Sequence, residues 1–268
     1  MPSSYFFSQL EIFDSPKIQF SSPHAAIFES QSRADALYCG EASIPVKEIN
    51  GRHFRLMSWN VHKGADDGWQ QDLARFAQQS DFVLLQEATP EQHLPDFSTA
   101  LFVSAFSYRD QLSGIKTFSK ALPQAYCVSS VGEPWIRIPK VAGALYFPLP
   151  NGESLLIINA HLINFELQPN AYKEQLEQVF SLIRAHQSAV ILAGDFNAWR
   201  DARKNLLDEF VAEAGLQEVH FSPDHRVQFF SHPLDFIFTR GVKVHSAKSE
   251  TVQSSDHAPV FIDFELEN

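Results

Sequence analysis

From residue 54 onward the chain alternates short apolar runs with polar stops. Residues 54–59 read as a strand ending at Asn60, and residues 82–85 as a buried strand ending at Gln86 and Glu87. Between them Trp69, Leu73 and Phe76 keep helical spacing, with Asp66 or Asp67 placed to cap that helix. Residues 115–118, 126–131, 144–147 and 155–158 are successive β segments with no helix between them. A second helix opens at Pro169 and Asn170 and lines Leu176, Val179, Phe180 and Ile183 along one face; a strand follows over 190–192. Leu206, Leu207, Phe210 and Val211 mark a third helix, which Gly215 is suited to stop. Segments 234–238, 242–244 and 260–264 close the chain as strands.

Strands outnumber helices and often follow one another directly. That excludes a simple doubly wound fold and predicts an α/β architecture of two packed sheets covered by a few helices. Residues 1–50 have weak periodicity. They read as an N-terminal arm whose apolar points, such as Phe13, Ile18 and Phe20, pack on a main domain over 51–268; a mobile partner-binding segment is the alternative.

Composition narrows the classes. Hydrophobic residues make up 44% and phenylalanine alone contributes 24, enough for a sizeable core. No apolar run reaches membrane-spanning length, and Met1-Pro2-Ser3-Ser4-Tyr5 is not a basic segment leading into an apolar one. The expectation is a cytoplasmic monomer with no membrane span. Cys39 and Cys127 match neither a zinc spacing nor a disulfide framework and read as two isolated thiols in a reducing compartment. The net charge of −11 disfavours holding a long nucleic-acid duplex by phosphate neutralisation alone. A local basic patch and a bound cation would offset that field.

The candidate chemistry sits where the apolar runs stop. Asn60 and His62, Gln86 and Glu87, Asn159 and His161, and Asp195 and Asn197 each end a strand; Asp235 lies at the start of one, and Asp256-His257 just precedes another. Each alone is an ordinary solvated strand end, but six together, rich in Asn, Asp, Glu and His, are hard to assign to turns. Oxygen donors from Glu87 and Asp256, with amide help from Asn60, suit Mg²⁺ or Mn²⁺ better than zinc, which favours more His or Cys at closer spacing. Asp235 is placed to hold His257 as a carboxylate–imidazole pair.

These segments carry a resemblance. SWN at 58–60, LLQE at 84–87, NAHL at 159–162, GDFN at 194–197, LDFIF at 234–238 and SDHAP at 255–259 occur in the order found in the endonuclease/exonuclease/phosphatase superfamily. That group includes DNase I, abasic-site endonucleases, neutral sphingomyelinases, inositol-polyphosphate 5-phosphatases and deadenylases. GDFNAW and PLDF resemble its small bacterial YafD-like branch more closely. The resemblance implies a DNase I-like fold, a four-layer α/β sandwich of two mixed, mostly antiparallel sheets flanked by helices. It implies Glu87 as principal metal ligand, assisted by Asn60 and Asp256. It implies that Asp195 orients or deprotonates the attacking water, that Asn197 positions it, and that His161 contacts a non-bridging phosphate oxygen. His257, held by Asp235, then stabilises the pentacovalent state or assists the leaving group.

There are departures. Many nucleases of the superfamily carry an acidic residue where this chain has His62, which puts a second metal ligand in doubt. The 5-phosphatase Pro-Ala-Trp signature is replaced by His232-Pro233-Leu234-Asp235, and the deadenylases' accessory repeats are missing. On the substrate side, residues 109–150 hold Arg109, Lys116, Lys120, Arg137 and Lys140 against Asp110 and Glu133, the one net-basic stretch. Arg137 and Lys140 could face a phosphate-bearing substrate, and Trp199 with Arg200 could stack on a base or sugar. The reading is a divalent-metal-dependent phosphodiester hydrolase, a nuclease first, on a short or single-stranded nucleic acid rather than a long duplex. A lipid, inositol or sugar phosphate ester is the alternative substrate, and a non-catalytic binding module on the same scaffold the alternative of another class.

Overall fold

The computed structural model describes residues 9–23, 26–30, 37–42, 47–49, 51, 53–134, 138–164, 166 and 169–267; Arg137 lies outside them. The strands are β1 (Leu10–Ser21), β2 (Ala26–Ser30), β3 (Leu37–Glu41), β4 (His53–Asn60), β5 (Phe82–Ala88), β6 (Thr99–Tyr108), β7 (Gln111–Ser119), β8 (Ala125–Gly132), β9 (Pro139–Pro148), β10 (Ser154–His161), β11 (Val190–Asp195), β12 (Gln217–Glu218), β13 (Gln228–Phe229), β14 (His232–Pro233), β15 (Asp235–Arg240), β16 (Val242–Ser249) and β17 (Val260–Leu266). The helices are α1 (Trp69–Gln78), α2 (Asn170–Ala185) and α3 (Asp201–Glu213).

Eight strands form one sheet in the order β16-β17-β4-β5-β7-β6-β1-β2, and seven form a second in the order β12-β15-β11-β10-β9-β8-β3. Among the described strands only β4–β5 and β10–β11 pair in parallel, so both sheets are mixed and mostly antiparallel. Leu56, Leu84, Ile157, Ile191, Ile237 and Ile262 point between the sheets and fill the central core. The next residues along each strand point outward. Met57, Trp59, Val83 and Leu85 meet Leu73 and Phe76 of α1. Ile158 and Leu192 meet Phe180 of α2 and Phe210 of α3. Both faces of the central strands are buried, which is why they read as unbroken apolar runs. The result is four layers in the order helix, sheet, sheet, helices, with the mixed sheets expected from the sequence.

The two parallel pairs fix where polar strand ends collect. A parallel neighbour ends at the same edge, so β4 and β5 deliver Asn60 beside Gln86, and β10 and β11 deliver His161 beside Asp195. β15 runs the other way and starts at that edge, with Asp235 opposite Asp195. Gly194, at φ +148°, allows this crowding: a Cβ there would lie 1.9 Å from the Ala160 carbonyl oxygen.

Three expectations need correction. Neither Asp66 nor Asp67 caps α1, which starts from Gly68 in a left-handed conformation without a side-chain cap; Asp66 bonds His62 instead. Cys39 and Cys127 are not isolated thiols but a disulfide joining β3 to β8, directly opposite each other in register. Such a bond persists in an oxidising milieu. The net-basic stretch is not one patch. Lys116 is buried, donates to the carbonyls of Pro90 and Gln92, and has its pKa lowered by burial to about 8. Arg109, in the turn after β6, bonds Gln9.

Candidate active site

Asp195 is the hub of the strand-end cluster. Its Oδ2 accepts a 3.0 Å hydrogen bond from Asn60 Nδ2 and lies 3.5 Å from His161 Nε2 and 3.9 Å from His257 Nε2. Its Oδ1 accepts from the Asn197 backbone N–H at 3.1 Å. Asn197 turns its amide inward, donating to the Leu162 carbonyl at 3.0 Å. Burial raises the Asp195 pKa, while the neighbouring His257 and His161 act against that rise. A carboxylate raised in this way is a better proton acceptor than an exposed one.

The imidazoles on either side are held in opposite states. Burial draws the His257 pKa down, but the charge and hydrogen bond of Asp235, with Asp195 and Asp256 behind them, outweigh it and set it at about 10. Its Nδ1 lies 2.8 Å from Asp235 Oδ2, so His257 is a buried imidazolium at neutral pH. His161 goes the other way: burial and then Lys140, whose Nζ is 3.1 Å from its Nε2, lower it to about 4. The second ring is therefore neutral. One cluster thus presents a charged and an uncharged imidazole on either side of a buried carboxylate.

Glu87 lies beside this cluster, and its carboxylate accepts a hydrogen bond from Lys63. Burial would raise its pKa, but His161, Lys63 and Lys140 hold it at about 2. Glu87 titrates below His161, so that ring is already charged when Glu87 takes its proton. Glu87, His161, Lys63 and Lys140 line one small cleft of about 30 Å³ with Ser113 and Gly114. Glu87, Asn197, His62 and Lys63 all have positive φ, between 45° and 58°. Such backbone costs of order 1 kcal/mol or more at a non-glycine residue, and it clusters where side chains must be re-aimed.

The other candidates are placed less centrally. Asn60 is committed on both sides of its amide, its Oδ1 accepting from the His62 backbone N–H at 3.1 Å. Asp256 is exposed, with its carboxylate 3.9 Å from His62 Nδ1. The same loop is pinned by Ser255, which donates to the Asn60 carbonyl, and by Trp59, which donates to the His257 carbonyl. Trp199 is half-buried and donates to Asn164, and the Arg200 guanidinium lies 4.4 Å from its ring centre. Gln86 and Asn159 resemble site residues in the sequence but bond each other between the sheets at 2.8 Å. Lys63 was not singled out by the sequence; the glycine after it, at φ +68°, is the one local sign of a tight turn there. Also unforeseen is an aromatic rim. Phe229 and Phe230 are 51% and 71% exposed on the β13–β14 hairpin and contact Trp199 edge-on and tilted.

The donor set fits a hard divalent cation in part. Glu87 is an ionised carboxylate already matched to a cationic partner, and Asn60 Oδ1 retains a lone pair. Comparison with known proteins agrees with the fold and the motif order. Residues 57–257 match the model of the Endonuclease/Exonuclease/phosphatase family. A UPF0294 protein of Yersinia pseudotuberculosis is 39% identical over 227 residues, covering 83% of this chain and 86% of that one. Among solved structures, an endonuclease/exonuclease/phosphatase of Bacteroides vulgatus matches with a TM-score of 0.61 at 17% identity, over 81% of this chain and 100% of that one. D. rerio TDP2 complexed with single strand DNA product matches with a TM-score of 0.55 at 20% identity, over 80% and 99%. The match to the family model over three-quarters of its length establishes that this chain belongs to the endonuclease/exonuclease/phosphatase family.

Proposed function

We propose that the protein is a divalent-metal-dependent phosphodiester hydrolase acting on short or single-stranded nucleic acid. The observation that carries this reading is the buried row Asp235, His257, Asp195 and His161, with one ring charged, one neutral and a proton-accepting carboxylate between them. Glu87 is the principal metal ligand, with Asn60 and Asp256 as its supports. When bound, the cation would neutralise charge on the scissile phosphate.

The remaining chemistry belongs to the chain. Asp195 accepts a proton from the attacking water, whose oxygen forms the new bond to phosphorus while the ester bond opposite breaks. Asn197 positions that water through the loop it shares with Asp195. His257, kept charged by Asp235, stabilises negative charge on the pentacovalent phosphorus or the departing oxygen. His161 and Lys140 meet a non-bridging oxygen. Trp199, Arg200, Phe229 and Phe230 offer ring faces and a guanidinium to an unpaired base, which suits a strand without a partner better than a duplex. The single-strand DNA product held by D. rerio TDP2 supports the same direction.

The exposed Phe229 and Phe230, with Val227 at 38%, favour one second reading, a phospholipid ester whose acyl region meets this rim. A panel of single-stranded oligonucleotide, plasmid duplex, RNA, sphingomyelin vesicles and inositol phosphates, each with Mg²⁺ or Mn²⁺ and with chelator, tests both. The expected outcome is chelator-sensitive cleavage, fastest on the single strand. Cleavage of vesicles alone would replace the first reading by the second, and no hydrolysis of any ester would remove both.

A further inference from the structure

At the opposite end of the larger sheet, three metal-ligating side chains meet on its outer face. His53 opens β4 and pairs in register with Glu265 of β17, while His245 comes from the neighbouring β16. His53 precedes Asn60 by a strand length of roughly 23 Å, so this group is remote from the candidate active site.

The facing is set by the strands themselves. Ile262 and Phe264 point into the inter-sheet core, so Asp263 and Glu265 point away from it. Val244 and Ala247 of β16 also pack inward, and two residues lie between them where a regular strand has one. The register shifts at that place, between Val244 and Ser246. Ser246 donates to Asp263 at 2.5 Å, and the additional residue, His245, brings Nε2 to 3.1 Å from Glu265 Oε2. A bulge of this kind turns an extra side chain outward that an unbroken ladder would not supply. The His53 and His245 rings lie 5.3 Å apart, and one ligand atom from each of the three residues falls within 4.8 Å of the others.

We propose that His53, His245 and Glu265 form a second metal site, for Zn²⁺ or a similar transition-metal ion, that clips β4, β17 and the edge strand β16 together. Two imidazoles and one carboxylate are a borderline-soft donor set, suited to Zn²⁺ and poorly suited to Mg²⁺ or Ca²⁺. Tetrahedral ligands at zinc distances stand about 3.3 Å apart. The His245–Glu265 pair is already that close, and rotation of the exposed His53 ring closes the rest. Water supplies the fourth ligand. Of the nearby cations, the Arg55 guanidinium is matched by Asp263 at 2.5 Å, and Lys243 of β16 stands opposite Glu265 in register, a positive charge against which the ion must bind.

The test uses the full chain, stripped of metal by dialysis, with Zn²⁺ alone as the probe. Equilibrium dialysis and thermal melting are compared for the wild type, His53→Gln and His245→Gln. The wild type is expected to bind one Zn²⁺ equivalent more than either variant. At a hundredfold excess over Kd, Zn²⁺ should raise its Tm by about 5–10 °C. Both variants should lose that rise while keeping any phosphodiester hydrolysis, which separates this site from the candidate active site. Glu265→Gln, checked by circular dichroism like the others, should weaken the same equivalent at least tenfold. Equal stoichiometry and equal Tm shifts in wild type and both His variants would overturn the proposal, as would the lack of this equivalent in the wild type.

Discussion

His257 and Asp235 join the two sheets. The imidazole stands just before β17 of the larger sheet, and Asp235 is the first residue of β15 in the smaller one; the 2.8 Å bond between them crosses the interface. Both side chains are buried, so the pair fixes the ring and its proton at the place where the sheets meet.

Their joint role predicts a pH signature. The His257 pKa rises from its ordinary 6.5 to about 10, so its charged interactions stabilise the fold fully below pH 6.5 and fade as pH climbs to 10. Asp235→Asn should lower kcat by about 10²–10⁴-fold and move the basic limb of kcat/KM well below pH 10. His257→Ala combined with Asp235→Asn should cost little more than His257→Ala alone. Additive losses in that cycle would show that the residues act separately.

Glu87 gives a metal prediction. Its pKa is depressed to about 2, so the carboxylate is ionised throughout the working range; its stabilising contribution is present above its ordinary 4.5 and is lost as pH falls through 2. Glu87→Gln should raise the half-saturating Mg²⁺ concentration by about tenfold or more while the far-ultraviolet circular dichroism stays unchanged. An unaltered Mg²⁺ titration would remove Glu87 from the ligand set.

Lys140 tests the phosphate side. Removing its charge relieves one of the two main causes that lower His161, so Lys140→Ala should shift the acidic limb of the rate profile upward from about pH 4. It should also raise KM and flatten the salt dependence of binding, with little change in kcat. A wild-type KM and salt slope would make Lys140 a support for His161 and nothing more.

Much of the site was legible because an apolar run that stops at Asp, Asn, Glu or His has few places to go in a sandwich of two sheets. Asp195, His257, Asp235, His161 and Asn60 converge as their motifs suggested. The same pattern misleads at Gln86 and Asn159, because register decides whether a strand-end amide faces the cleft or the opposite sheet. β6 and the N-terminal strands were not legible either. Thr99–Tyr108 is mostly buried along its whole length and so shows no alternation, and β1, which also pairs with β2, joins the rest of the larger sheet only through β6, some eighty residues later in the chain.

The Gln86–Asn159 pair is expected to matter for stability alone. Gln86 Nε2 also reaches Ser58 Oγ at 3.1 Å, and Asn159 Nδ2 donates to the Leu85 carbonyl, so the two amides tie the sheets together, with the Gln86 Oε1 buried and without a hydrogen-bond partner among the described residues. Gln86→Leu leaves the Asn159 oxygen without that donor inside the core and should cost about 1–3 kcal/mol in chemical denaturation. Turnover per folded molecule should be unchanged; a large fall in kcat with normal stability would place Gln86 in the chemistry instead.

The disulfide predicts a separate dependence on redox state. Cys39 is exposed and Cys127 buried, and their bond closes a sequence separation of 88 residues between β3 and β8. β3 is an edge strand with β8 as its partner in the sheet, so the covalent link limits how far that edge can fray. Closing so long a loop restricts the unfolded chain by about 4.6 kcal/mol in the entropic account, with measured values commonly between about 2 and 4. Cys39→Ser should therefore lower Tm by about 5–15 °C, and reductant should bring the wild type to the same value without affecting the variant. The candidate site is built on other strands, so initial hydrolysis rates at 25 °C should be equal in all three samples. Two titratable thiols in the unreduced, denatured wild type, with no Tm response to reductant, would show that the bond does not form and would restore the reading of two separate thiols.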